Sequence, residues 1–509
     1  MTRFTVEPLP PRPSLEHQQK LAKRLLRNVW AGDPDAIERV RTFFPGALNV
    51  DVLKLHDAQL VIARGYGFES WAALKRKIES LTHTPLEQFD LAVREGDAER
   101  ARELLEKHAD IRARINEPRF DFDSPAIHQA KKHLPLVDVL LAHGADINAR
   151  SKFWAGGFGI LEWDLTPEQA TPLISRGARI TPWAAAGLGL YDDLEAMIRS
   201  HPDCVHERGG DGKTPLHCAA TCAIAELLLD SGADPNVRDV DHNSTALQYL
   251  VADEAIARLL VGRGAELDIL SAARLGEKSW IEQFLRDHPV SAQSGAIWGS
   301  FTAPGGHIYG WTLGADLTPT AVARKFGHAE IAELILAALP PKARFIEALW
   351  SGDAERVRRE LECNPSVMQD LQPQEHSLLP LAAWEHRTES VRLMLEMGFN
   401  PHAMGPHRST TLDRASFHGY ADIVAMLLAR DPNPPLSQPN EFNSIPLHTC
   451  IYGSLNGWKT GHPRDHVRTL TLLLEAGSPV DPTRLPSGND ELDTVIRAWL
   501  KNGRGESAQ

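Results

Sequence analysis

The stretch VARKFGHAEIAELIL at 322 to 336 restricts the fold more than any other feature, because its plan recurs along the chain. AARLGEKSWIEQFL at 272 to 285, ALWSGDAERVRREL at 348 to 361, AVREGDAERARELL at 92 to 105 and RASFHGYADIVAMLL at 414 to 428 share it. Each reads as a short apolar helix, a turn at Gly327, Gly276, Gly352, Gly96 or Gly419, and a second amphipathic helix. A left-handed turn between helices favours glycine, whose missing Cβ removes the steric penalty. After the turn, apolar residues at i, i+3 and i+4, such as Ile331, Leu334 and Ile335, make one buried stripe. A chain that repeats a helix pair in this way folds as a stack of such pairs rather than around a single closed core.

Second helices run into Gly-Ala or Gly-x and a short polar stretch, as in LAHGADINAR at 141 to 150, LDSGADPNVRD at 229 to 239, VGRGAELD at 261 to 268, LEMGFNPHAMG at 395 to 405 and LEAGSPVDP at 474 to 482. Glycine stops the helix and the polar residues turn the chain into the next unit. Between 211 and 239 the pattern Thr-Pro-Leu-His, Ala-Ala, Leu-Leu and Gly-Ala-Asp-x-Asn is nearly complete, although the turn between the two helices lacks a glycine and is short by about three residues. These residues resemble the ankyrin repeat. The resemblance covers residues 85 to 500 and implies an all-α solenoid of helix-turn-helix units joined by projecting hairpin loops, with roughly eleven or twelve irregular units. It also implies that Thr214 and His217 hydrogen-bond near their turn.

Residues 15 to 82 read as paired helices with Gly32 and Gly67 at turns, and are expected to cap one end of the array. They look like the helical segment that precedes the repeats in multi-repeat bacterial members of this family. Residues 1 to 14 read as a flexible Pro-rich arm and 501 to 509 as a flexible tail.

Composition narrows the partners. The formal net charge of -13 gives no positive field to draw nucleic acid or an anionic membrane, and there is no basic tract. No segment reaches the ~18 apolar residues of a membrane span, and MTRFTVEPLPPRPSLEHQQK has no apolar leader. Five cysteines form an odd set without a disulfide framework, which suits the reducing cytoplasm.

Chemical motifs give way to structural readings. GGDGKTPLHCAA at 209 to 220 contains Gly212-Lys213-Thr214, the end of a phosphate-cradling loop, but the upstream glycine is Glu207 and no apolar strand leads in. The same residues make a helix start, with Thr214 as cap and Pro215 in the first turn. Cys218 and Cys222 are spaced to share a helix face beside His201, Cys204, His206 and His217, yet lack a Cys-x-x-Cys knuckle. His462 and His466 with Asp465 in GHPRDH lack a metal-binding glutamate partner, and no Gly-x-Ser-x-Gly elbow occurs. No cofactor, metal or catalytic residue is assigned.

Two insertions carry the candidate site. SKFWAGGFGILEWD at 151 to 164 and AIWGSFTAPGGHIYGWTLGAD at 296 to 316 fall where the resemblance places the projecting hairpins. They concentrate Phe153, Trp154, Phe158, Trp163, Trp298, Phe301, His307, Tyr309 and Trp311 in a chain only 7% aromatic. Rings on scaffold-held loops suit a binding surface, and equally they suit folding back to fill gaps between irregular repeats. GSLNGWKTGHPRD at 453 to 465 is a third insertion, in which Trp458 and His462 either pack over neighbouring helix ends or form a separate contact. The resulting expectation is a non-enzymatic scaffold that binds an as yet unidentified protein partner through its concave face and aromatic loops. One alternative is an enzyme or small-molecule binder with a pocket under the 296 to 316 loop, using His307, Tyr309 and nearby carboxylates. A self-associating structural unit is the other.

Overall fold

A computed structural model describes residues 4–10, 13–44, 53–314, 317–458 and 461–502. Parts of the expected arm and tail, residues 45–52 of the expected capping region, and residues 315, 316, 459 and 460 of the two later insertions lie outside the described residues. Helices dominate, and among the described residues extended pairing is limited to isolated bridges such as Phe120 to Ser124 and Met404 to Thr410. The chain forms two compact units, one of residues 83–339 and one joining residues 1–82 to 340–509.

Within the 83–339 unit, first and second helices alternate: Pro85–Glu95 with Ala98–Lys107, Pro182–Leu188 with Tyr191–Ser200, Ile269–Leu275 with Lys278–Asp287, Pro319–Lys325 with Ala329–Ala338. Threonine before the first helix sets its start. Thr84 accepts from Glu87 N–H while the Glu87 carboxylate accepts from Thr84 N–H, and Thr166 with Gln169 and Thr245 with Gln248 repeat this reciprocal box. Gly276 ends its helix at φ 77°, and a Cβ there would sit 2.6 Å from the His328 ring of the next pair. His328 Nε2 in turn lies 3.2 Å from the Arg274 carbonyl, so glycine turn and histidine together join one repeat to the next. Ile331 and Ile335 are buried as the stripe requires, whereas Leu334 is only half-buried beside buried Ala332 and Leu336. Leu228, Ile256 and Leu194 belong to one continuous core of neighbouring second helices.

The short turn after Thr214 has a structural consequence. The first helix contracts to a 3-10 turn, Pro215–Cys218, and a new helix, Cys222–Asp230, begins beyond an extended Ala219. Cys218 and Cys222 therefore share no helix face, contrary to their i,i+4 spacing. Burial also pushes the Cys218 thiol up to about 11, away from a thiolate ligand.

In the other unit, residues 341–351 pair with 354–363, and the plan continues to Pro446–Asn456 with His466–Glu475. Leu15–Trp30, Pro34–Phe43, Leu55–Gly65 and Trp71–Thr82 enclose a core of their own that includes Leu26, Val29, Val61, Ile62 and Leu74. This segment meets the last helix, Asp490–Lys501: Arg497 stacks over Trp30 at 3.9 Å, Lys54 pairs with Asp490 at 3.1 Å, and Arg27 donates to the Thr483 carbonyl. The described part of the arm is held rather than free, since Glu7 N–H donates to the Gly65 carbonyl at 2.8 Å.

Candidate functional site: a row of fingers bearing aromatic loops

Hairpin fingers project between the helix pairs of the 83–339 unit. At Phe122 and Asp123, φ of 57° and 51° places two successive non-glycine residues in left-handed turn geometry, which marks the tip of the first finger. Phe122 lies 5.4 Å from Phe153, 5.7 Å from Phe158 and 4.8 Å from Trp163. Three of the four rings come from the 151 to 164 loop and the fourth from a fingertip that sequence reasoning missed. Its position just before Ser124-Pro125, where the next helix begins, was the available signal.

The loop is tied down by its own backbone. Ser151 N–H donates to the Phe158 carbonyl and Phe158 N–H to Ser151 Oγ, both at 2.9 Å. Arg150 grips the Glu162 carboxylate through both terminal nitrogens, at 2.6 and 3.0 Å. Charged forks of this kind fix geometry as well as adding energy. Despite this anchoring, Trp154 remains 70% exposed and Trp163 50% exposed. Lys131 Nζ sits 4.8 Å over the Trp163 ring, and burial lowers this ammonium to about 8. Lys131, Phe122, Phe158 and Trp163 share a groove of about 310 Å³.

The next finger carries GGDGK. A Cβ on Gly209 would strike the Trp183 ring at 2.7 Å, and one on Gly210 the Phe158 ring at 2.2 Å, so these glycines let the aromatic loop lie flat on the finger. Lys213 is engaged by Asp211 at 2.9 Å and lies over Tyr249 at 4.5 Å, and no phosphate cradle forms around it. Thr214 Oγ1 and N–H both meet His217 Nδ1, at 2.9 and 3.2 Å, and the far ring nitrogen donates to the Ser244 carbonyl. Since Nδ1 accepts from the backbone, the proton resides on Nε2. Buried almost completely, His217 is lowered to about 4 by desolvation.

Val240 and Asp241 N–H groups donate to the Asp211 carbonyl, which carries the row on to the 239–244 finger. The 296 to 316 loop is pinned to that finger: Ser244 Oγ donates to the Gly305 carbonyl, and Arg238 and Gln248 both donate to the Pro304 carbonyl. Here the expected site residues separate. Trp311, 71% exposed, lies 5.1 Å from His242, and exposed His307 lies 5.5 Å from the same ring. Tyr309 is a correction: fully buried, it donates its hydroxyl to Asp268 at 2.7 Å and offers nothing to a partner. Trp298 is half-buried with its indole N–H enclosed. His242, in DVDHNST, is the second fingertip residue that the sequence reading passed over.

A cavity of about 340 Å³ does open under this loop, between Arg238, Gln248, Glu266, Asp268, His288 and Thr302. The carboxylates of Glu266 and Asp268 line it, as the pocket alternative expects, whereas His307 and Tyr309 do not.

Trp458 and His462 lie in the other unit. Trp458 packs on Trp384, Phe417 and His418, each 5.6 to 5.7 Å away, yet stays exposed. His462 lies beside His386 at 4.9 Å. His466 instead covers Gly419 and meets the Phe417 carbonyl at 3.1 Å, while Asp465 caps Arg468 N–H, so the three do not assemble as a ligand set. Among the described residues no group of three or more His, Cys, Asp or Glu side chains is placed to hold a metal ion, and no helix is long and apolar enough to cross a membrane.

Residues 211–240 match the family model described as ankyrin repeat. The chain is similar to the E3 ubiquitin-protein ligase XB3 of Oryza sativa subsp. japonica, 31% identical over 21% of this chain and 23% of that protein. It is also similar to the putative E3 ubiquitin-protein ligase XBAT31 of Arabidopsis thaliana, 27% identical over 22% of this chain and 24% of that protein. The chain thus spans about a quarter of the length of these curated relatives. Among solved structures, the human ASB11 ankyrin repeat domain aligns over 60% of this chain and all of that one, at 16% identity and a TM-score of 0.23. With a matched repeat at 211–240 and helix pairs of the same plan on either side, the chain contains an ankyrin repeat within a largely helical array.

Proposed function

We propose that this protein is a non-enzymatic scaffold that captures a protein partner along the finger row of the 83–339 unit. Ankyrin repeats indicate protein interaction. One observation carries the finer reading: Trp154, Trp163 and Trp311 keep half or more of their surface in water on loops whose backbones are hydrogen-bonded in place. An exposed indole is the kind of side chain that dominates interface energetics, and a pinned loop loses little entropy when it is covered. Phe122, Phe153 and Phe158 back the first anchor, while His242 and His307 flank the second. Five free cysteines fit work in the reducing cytoplasm.

The test uses the wild-type chain and a Trp154→Ala/Trp311→Ala variant as baits in lysate of the native host, with quantitative mass spectrometry. A partner retained by the wild type should drop at least ~30-fold on the variant, as expected for truncating hot-spot aromatics, with the melting temperature nearly unchanged. Equal recovery, or a collapse of stability in the variant, would count against the proposal.

A further inference from the structure

A second cavity, of about 390 Å³, lies in the unit that contains residues 340–509. Its walls are rings. Trp384 and Phe417 stack at 5.4 Å, Tyr452 stands 6.3 Å from Phe417, and Phe442 forms an exposed fingertip against His407.

The polar groups of this cavity are unequally occupied. Asp413 is committed to its own helix start and to the next repeat: Thr410 N–H and Oγ1 donate to one oxygen at 3.1 Å each, and Thr449 Oγ1, from Pro446–Asn456, donates to the other at 3.3 Å. Ser409 Oγ accepts from Arg414 Nε and donates to the Pro406 carbonyl. The donors are what remain. Arg414 spends Nε and Nη2 on Ser409 and Pro406, but its Nη1 makes no hydrogen bond among the described residues. Asn440 uses its oxygen on two backbone N–H groups, leaving Nδ2 open, and the Ser444 hydroxyl is likewise open.

Arg414 is the unusual member. It is 7% exposed, rests 4.5 Å over Trp384, and among the described residues forms no ion pair. Burial lowers its pKa from the ordinary arginine value against the attraction of the Asp413 and Glu385 carboxylates, the sign of a cation whose lost hydration is incompletely replaced. An anion placed against Nη1 would relieve that cost.

We propose that this cavity binds a carboxylate carried on a flat apolar body about the size of one aromatic ring. The guanidinium edge matches a planar carboxylate, and the open amide and hydroxyl donors suit its remaining lone pairs. The rings take the apolar body between their faces. Phosphate fits less well, because the cavity offers one unpaired cation and mostly hydrocarbon: His407 is already bonded to Glu441. An ammonium ligand would meet Arg414 and find Asp413 occupied. The same chemistry is presented by a free aryl or alkyl acid and by the C-terminal residue of a peptide.

Calorimetry on the full chain at neutral pH tests this with 3-phenylpropionate and its neutral amide, 3-phenylpropanamide. The acid should bind with a Kd of about a millimolar or tighter, and the amide at least ~10-fold more weakly. Arg414→Met should reduce acid binding by at least ~10-fold, and Phe442→Ala, at an exposed fingertip, should weaken it without altering the fold. If Arg414→Met unfolds, the acid-amide contrast and Phe442→Ala decide. Gly-Gly-Phe and its C-terminal amide identify the source: a free-carboxylate peptide that outcompetes 3-phenylpropionate assigns a chain end, and parity assigns a free acid. Equal binding of acid and amide, absence of acid binding, or acid binding untouched by both variants would overturn the proposal.

Discussion

His217 shows how one side chain sets a condition on the fold. It links Thr214 to the Ser244 carbonyl of the next finger as a neutral ring, and its folded pKa of about 4 lies below the ~6.5 of an unfolded histidine. The unfolded chain therefore binds the extra proton first, so this stabilisation is complete above about pH 6.5 and is lost as pH falls toward 4. A shift of that size is worth on the order of 3 kcal/mol. His418, also lowered to about 4 by burial, adds to the same slope. Denaturant unfolding at pH 7.5 and 5.0 should show a clear loss for the wild type and a smaller one for His217→Gln; identical pH slopes would argue against this role. Gly210 is a steric counterpart. Its substitution by alanine puts a methyl into the Phe158 ring and should cost ~1–3 kcal/mol, with near-ultraviolet dichroism of the loop aromatics altered.

At the scale of elements, the 151 to 164 loop behaves as a clamp closed by Arg150 and Glu162, whose side chain is almost wholly buried. Glu162→Ala should raise hydrogen exchange across 151–164 by at least ~5-fold, with Cys222–Asp230 unaffected, because one charged bond of this type holds about 1–3 kcal/mol. The helix pairs and their glycine turns were legible in the sequence because each depends on residues within a few positions. The site was legible only in part. Phe153, Phe158, Trp163 and Trp311 stood out by composition, but Phe122 joins the first three and His242 joins Trp311 through contacts between distant segments, which no local pattern encodes. Tyr309 failed for the converse reason: its burial follows from a hydroxyl reaching Asp268, 41 positions away. Cys218 and Cys222 were misplaced because three missing residues turned one helix into a 3-10 turn, a change of geometry that spacing rules assume away.

At the scale of the molecule, residues 15–82 and the helix Asp490–Lys501 belong to one compact unit. Deleting 490–502 should increase exchange in Leu15–Trp30 by uncovering Trp30, while Ala98–Lys107 keeps its protection; unchanged exchange at Leu15–Trp30 would show that the stacking of Arg497 on Trp30 contributes little. The Arg27 to Thr483 hydrogen bond closes across 456 positions of sequence. A ribosome adding ~5–20 residues per second takes on the order of 20 to 90 s to bridge that interval. The early helices emerge long before the segment that covers them, and local repeat contacts form far sooner than so distant a pairing. Nascent chains would thus carry Trp30 uncovered while the intervening residues are made, which makes closure of this unit dependent on uninterrupted synthesis across that interval.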